Sequence, residues 1–89
     1  MKEDIVKLVG DKLEELKVYI FDAIEEKEGK DTYLRIVIDS YEKDDIINID
    51  RVCEATKIID PIVEKADLIK GEYILDVYAK SKGDVENEW

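Results

Sequence analysis

The stretch VYIFDAIEEKEGKDTYLRIVID, residues 18–39, decides the fold. Its first seven residues are mostly β-branched or aromatic, the types that suit a pleated, packed surface. Strand geometry sends Val18, Ile20 and Ile24 one way and Tyr19, Phe21 and Ala23 the other, so the segment is expected to be a strand buried on much of both faces. In YLRIVID, residues 33–39, Leu34, Ile36 and Ile38 alternate with Tyr33, Arg35 and Val37. Between the two lies EEKEGKD, residues 25–31, a charged turn containing Gly29 and too short for a crossover. The two strands are therefore predicted to pair as an antiparallel hairpin.

Upstream, Ile5, Leu8, Val9, Leu13 and Leu16 fall on one face of a helix, which predicts an amphipathic helix over 2–16. Downstream, SYEKDDIIN reads as a polar loop ending at Asn48, a residue type suited to capping a helix, with Asp50 in the first turn where a negative charge meets the helix dipole. A long helix follows, with the apolar stripe Val52, Ala55, Thr56, Ile59, Ile62, Val63 and Ala66. Pro61 cannot donate to the Lys57 carbonyl, so a kink near 57–60 or a break into two helices is expected, and the unshifted stripe favours the kink. After the turn at Gly71, EYILDVYA sets Tyr73, Leu75, Val77 and Ala79 on one strand face and Glu72, Ile74, Asp76 and Tyr78 on the other. The order helix, strand, strand, helix, strand, with one apolar face per helix, predicts a two-layer α+β domain over 1–79, both helices on one side of a three-stranded sheet. Residues 80–89, KSKGDVENEW, lack periodicity and are expected to be a disordered tail or the stub of a linker.

Composition narrows function. The 89 residues include 14 Lys and Arg against 24 Asp and Glu, no His and one Cys, for a net charge of -10. Without His the chain lacks the side chain most often used for proton transfer near neutral pH and for binding transition metals. A single Cys cannot form an internal disulfide, and no ligand spacing suggests structural zinc. These features, with no apolar run long enough for a membrane span and no signal-peptide pattern, lead us to expect a cytoplasmic protein. The acidic balance argues against direct reading of a nucleic-acid backbone and suits a basic protein partner, although spread charge also serves solubility alone. Both halves are acidic, residues 1–48 with net -6 and 49–89 with net -4.

Four pieces of the chain, in order and with preserved spacing, resemble the N-terminal domain of the RimP family of bacterial ribosome maturation factors. They are VYIFDAI with Asp22 between apolar residues, LRIVID ending at Asp39, INIDRVCEATKII from Ile47 to Ile59, and DLIKGEYILDV from Asp67 to Val77. The likeness runs from about Val18 to Val77. Family members continue through a Ser-Ser-Pro-Gly type turn into an SH3-like barrel, whereas this sequence has Tyr78, Ala79, Lys80 and Ser81 there and stops at Trp89. We therefore expect either a truncated chain or a diverged stand-alone relative. The resemblance implies a non-enzymatic domain that helps late assembly of the small (30S) ribosomal subunit by contacting a basic ribosomal protein near the decoding region. The element order also resembles the KH topology, but Gly10, Gly29, Gly71 and Gly83 are isolated and form no Gly-x-x-Gly clamp.

Candidate site residues cluster around the loop after the second strand: Asp39, Glu42, Asp44, Asp45 and Asp50, opposed by Lys43 and Arg51. An EF-hand read from Asp39 would need Gly and Glu where Asp44 and Asp50 stand, so no metal site and no cofactor is assigned. Contact with a basic partner and a merely solvated loop are the two readings of this cluster. Asp22 and Arg35 are candidates for a cross-strand ion pair if register allows. Cys53, next to Val52, reads as a core thiol, and with no His to activate it or either serine, no catalytic residue is assigned. The five tyrosines are expected at sheet edges, with Tyr33, Tyr73 or Tyr78 able to face a partner. Two functions stand: a RimP-like binding module in small-subunit assembly, or a stand-alone acidic regulatory or self-associating domain, a homodimer through a sheet edge, with no ribosomal role.

Overall fold

The computed structural model describes residues 1–80. Helix α1 spans Lys2–Val9 and passes into a 3-10 segment, Gly10–Leu16. Strands β1 (Val18–Glu28) and β2 (Asp31–Ser40) form the hairpin, helix α2 (Ile49–Ala66) follows, and β3 (Ile74–Ala79) closes the chain order. The sheet order is β1-β2-β3, with β1 antiparallel and β3 parallel to the central β2. Reaching the parallel position from β2 requires a crossover, and α2 supplies it. The result is the α+β domain expected from the sequence.

The core lies between the helices and one sheet face. Ile5, Val9 and Leu13 meet Leu34, Ile36 and Ile38 of the central strand, with Val18, Ile20 and Ala23 from β1 and Ala55, Ile59 and Val63 from α2. These positions recur every two residues along β2 and every four along α2, so one face of each is removed from water. Burying each such Ile or Leu contributes roughly 1.5–3 kcal/mol, which is how so small a domain offsets its chain entropy.

Several local expectations are corrected. The first helix is not uniform: the α-helical hydrogen-bond pattern ends at Gly10, a poor helix former, and the chain tightens to a 3-10 winding that exits through Lys17 in the left-handed region, φ 61°. Leu8, expected on the buried face, is exposed while Ile5, Val9 and Leu13 carry the contact. The first strand is not two-sided. A β-bulge at Phe21 shifts the register, Ile20 pairing with Ile38 but Asp22 with Val37, and reverses the alternation beyond it. Ala23 turns into the core and Ile24 out, so Phe21 and Ile24 are exposed on the open face with Ile74 and Tyr78.

The hairpin is also longer than expected, since Glu28 pairs with Asp31 and only Gly29 and Lys30 form the turn. Gly29 holds φ 61° at the first turn position, where a two-residue hairpin favours glycine. Helix α2 runs through Pro61 without a break, burying Ala55, Ile59 and Val63 on the stripe read from sequence. Cys53 lies outside that stripe and is exposed, correcting its reading as a core thiol. Residues 81–89, most of the segment expected to be a tail, lie outside the described residues.

Candidate functional site

The loop from Ser40 to Arg51 is built around one ion pair. Arg51, in the first turn of α2, meets Asp45 with both terminal guanidinium nitrogens, Nη2 to Oδ1 at 2.7 Å and Nη1 to Oδ2 at 3.0 Å. The same Nη1 donates to the Leu16 carbonyl at 3.2 Å, tying the loop to the end of the 3-10 segment. Such a two-point contact fixes orientation as well as distance. Hydrogen bonding to Asp45 holds the Arg51 guanidinium more firmly protonated than an ordinary arginine, against the opposing effect of burial.

Around this pair the short polar residues complete a hydrogen-bonded frame. The Ser40 hydroxyl donates to Asp45 at 2.7 Å and accepts from the Glu42 backbone N–H at 3.0 Å. Asp39, buried at the end of β2, accepts from the Ser40 N–H at 2.8 Å and from the Tyr19 hydroxyl at 3.4 Å. At the helix entrance the Asn48 side-chain oxygen accepts from the Arg51 N–H at 2.9 Å, the cap expected from sequence. Ile47 and Val52, flanking the cap at the positions of a hydrophobic staple, both pack against the core.

The five predicted carboxylates therefore divide. Asp39 and Asp45 form the frame, whereas Glu42, Asp44 and Asp50 stand exposed on it. Sequence reasoning missed the apolar half of the same surface: Tyr41, Ile46 and Ile49 are 63%, 78% and 72% exposed. Their signal was present in the run Ile46, Ile47, Asn48, Ile49, in which a hydrophobic staple uses only Ile47, the residue just before the cap. Tyr41 is partly supported by Tyr19, ring centroids 5.2 Å apart.

A second charged cluster lies on the open sheet face. Arg35 does not pair with Asp22: Arg35 stands opposite Ile24 and Asp22 opposite Val37. Asp22 instead accepts from the Ala23 N–H at 2.9 Å. Arg35 binds three other carboxylates, Glu26 at 2.7 Å, Asp76 at 2.8 Å and Glu28 at 2.9 Å, with its guanidinium carbon 4.3 Å from the Tyr33 ring centroid.

Across the molecule, an open hollow of about 650 Å3 between α2 and β3 is lined by Asp60, Glu64, Asp67, Glu72 and Tyr73. Burial, reinforced by Asp60, Glu64 and Asp67, pushes the Tyr73 phenol above its ordinary pKa. Among the described residues no group of three or more Asp, Glu or Cys side chains is placed to hold a metal ion.

A family model for the RimP N-terminal domain matches residues 8–79, from within α1 to the end of β3. The chain belongs to the RimP N-terminal domain family. It is thus a domain of the ribosome-maturation-factor type, from a non-enzymatic family, with the α-β-β-α-β order seen in the structure. No curated protein sequence matches the chain. No helix among the described residues is long and apolar enough to cross a membrane. The matched span, residues 8–79, takes in both the Ser40–Arg51 loop and the Arg35 cluster.

Proposed function

We propose that this RimP-type domain is a cytoplasmic protein-binding module in small-subunit assembly, docking on a basic ribosomal protein through the loop between β2 and α2. One observation carries the assignment to this loop: exposed Tyr41, Ile46 and Ile49 stand among exposed Glu42, Asp44 and Asp50 on a segment locked by Arg51 and Asp45. Protein interfaces combine apolar or aromatic anchors with a charged rim, and a loop already ordered loses less entropy on binding. The carboxylates steer a Lys- and Arg-rich partner and the apolar side chains supply the contact area. Asp39 and Asp45 contribute by shaping the loop.

The test is capture of purified small-subunit proteins by the immobilised domain at low and moderate salt. Basic small-subunit proteins are expected to be retained at low salt and progressively lost as salt rises. Reversing the rim charges together, Glu42→Lys, Asp44→Lys and Asp50→Lys, is expected to weaken retention about tenfold or more at low salt, whereas Ile46→Ser with Ile49→Ser weakens it at both salts. Equal retention of a small-subunit protein by wild type and both variants would move the docking surface elsewhere, and no retention at all would remove the ribosomal reading.

A further inference from the structure

The two edges of the sheet differ in how they are protected. The β1 edge is interrupted by the bulge at Phe21 and ends in Glu25, Glu26, Lys27 and Glu28, devices that discourage another strand from adding. Strand β3 has neither. It contains no proline, its register with β2 runs without a shift from Ile74 to Ala79, and its one charged side chain, Asp76, is turned to Arg35 on the open face. Among the described residues β3 pairs only with β2.

The direction of its backbone groups follows from one hydrogen bond. The Lys80 N–H donates to the Ile38 carbonyl at 2.8 Å, so alternate residues Tyr78, Asp76 and Ile74 also aim their N–H and C=O groups at β2. Leu75, Val77 and Ala79 aim theirs outward, away from the sheet. Among the described residues nothing pairs with these three, which leaves a hydrogen-bonding edge flanked by the exposed side chains of Ile74 and Tyr78.

We propose that this edge pairs with the same edge of a second copy, β3 against β3, antiparallel about a twofold axis at Val77, joining two three-stranded sheets into one of six strands. Side-chain chemistry selects the register. Centred on Val77, the outward groups of Leu75 meet those of Ala79, and on the open face Asp76 sits opposite Tyr78 while Ile74 sits opposite Lys80. Moving the axis to Asp76 sets the two Asp76 carboxylates directly against each other. Moving it to Tyr78 leaves only Val77 and Ala79 of β3 hydrogen-bonded. Each copy carries a net charge of -10, so the two repel at long range and added salt strengthens the pairing. Salt thus acts here in the sense opposite to capture of a basic partner, and the two proposals stand or fall separately.

Sedimentation of the full chain from micromolar to millimolar concentration tests this, with circular dichroism confirming that each variant is folded. The mass is expected to rise from 10.3 kDa toward twice that value, and further at high salt. Tyr78→Asp places a second carboxylate against Asp76 at two symmetry-related contacts and is expected to weaken the dimer about tenfold, while Tyr78→Lys strengthens it. A mass fixed at 10.3 kDa at millimolar concentration at both salts overturns the proposal. Equal association by wild type, Tyr78→Asp and Tyr78→Lys overturns it as well.

Discussion

Arg51 and Arg35 each gather carboxylates, yet they organise different kinds of surface. Arg51 holds a single aspartate at two points, with both side chains less than a third exposed, and its Nη1 also reaches the backbone at Leu16. Arg35 spreads its nitrogens over Glu26, Glu28 and Asp76, whose side chains are 40–56% exposed. The first arrangement closes a loop and joins three elements. The second neutralises part of a crowded acidic face across three strands without closing anything. Burial and backbone contact therefore separate them more than the number of ion pairs does, because exposed pairs are weakened by water and by salt.

The largest expected effect is at Arg51. Arg51→Ala strips Asp45 of its guanidinium partner, leaving it the Ser40 hydroxyl, and takes the Arg51 bond from the Leu16 carbonyl in a half-buried site; it is expected to cost about 2 kcal/mol in chemical denaturation, below the 3–5 kcal/mol typical of a fully buried pair. The same substitution frees the loop, so capture of a basic partner falls even though the exposed carboxylates remain. Pairing Arg51→Ala with Asp45→Ala removes the stranded charge and is expected to recover part of the stability, but none of the loop's order. A double variant no more stable than Arg51→Ala alone would show that the ion pair is not what holds the loop.

Arg35→Ala is expected to cost clearly less than Arg51→Ala, because Glu26, Glu28 and Asp76 rehydrate once released. Its signature is salt dependence: the three carboxylates then repel one another, so added salt restores the variant toward wild type. At Arg51 salt has little such effect, the donors to a half-buried aspartate and a carbonyl being lost outright. Equal salt responses at the two sites would erase the distinction drawn between them.

Much of this arrangement was legible in the sequence, and the parts that were not share a physical cause. Alternation along 33–39 and the stripe from Val52 to Ala66 identified the buried faces because a single periodicity holds through each element. Periodicity failed at Phe21, where one inserted residue exchanges the faces of everything after it, and at Gly10, where the winding changes from α to 3-10. The Asp22–Arg35 expectation failed on register, which sets Asp22 opposite Val37 and Arg35 opposite Ile24 and so decides which side chains meet across strands. Within the candidate loop the acidic residues were visible as a composition. Their division into frame and surface was not, because it depends on Arg51 reaching back six residues to Asp45 while Asp44, one residue away, turns to solvent.

The smallest expected effect lies in alkali, and it separates both arginines from the hollow beside β3. Hydrogen bonding to Glu26 at Arg35 and to Asp45 at Arg51 holds each guanidinium protonated beyond its already high ordinary pKa, so neither contact is lost as pH rises through the tyrosine range. Tyr73 behaves otherwise. Burial and the nearby Asp60, Glu64 and Asp67 disfavour its phenolate, raising the pKa in the folded state above the ordinary value near 10. Between the unfolded and folded pKa values the unfolded chain gives up the Tyr73 proton more readily, so its contribution is fully present below about pH 10 and declines as pH climbs through the folded value. Tyr73→Phe cannot ionise and is expected to flatten this part of the stability curve, read as the difference between variant and wild type in urea midpoints from pH 8 to 11. The same difference measured on the Arg51→Ala background should be unchanged, since that arginine keeps its charge throughout. An alkaline loss that persists in Tyr73→Phe but disappears in Arg51→Ala would instead place the alkaline weakness in the loop frame.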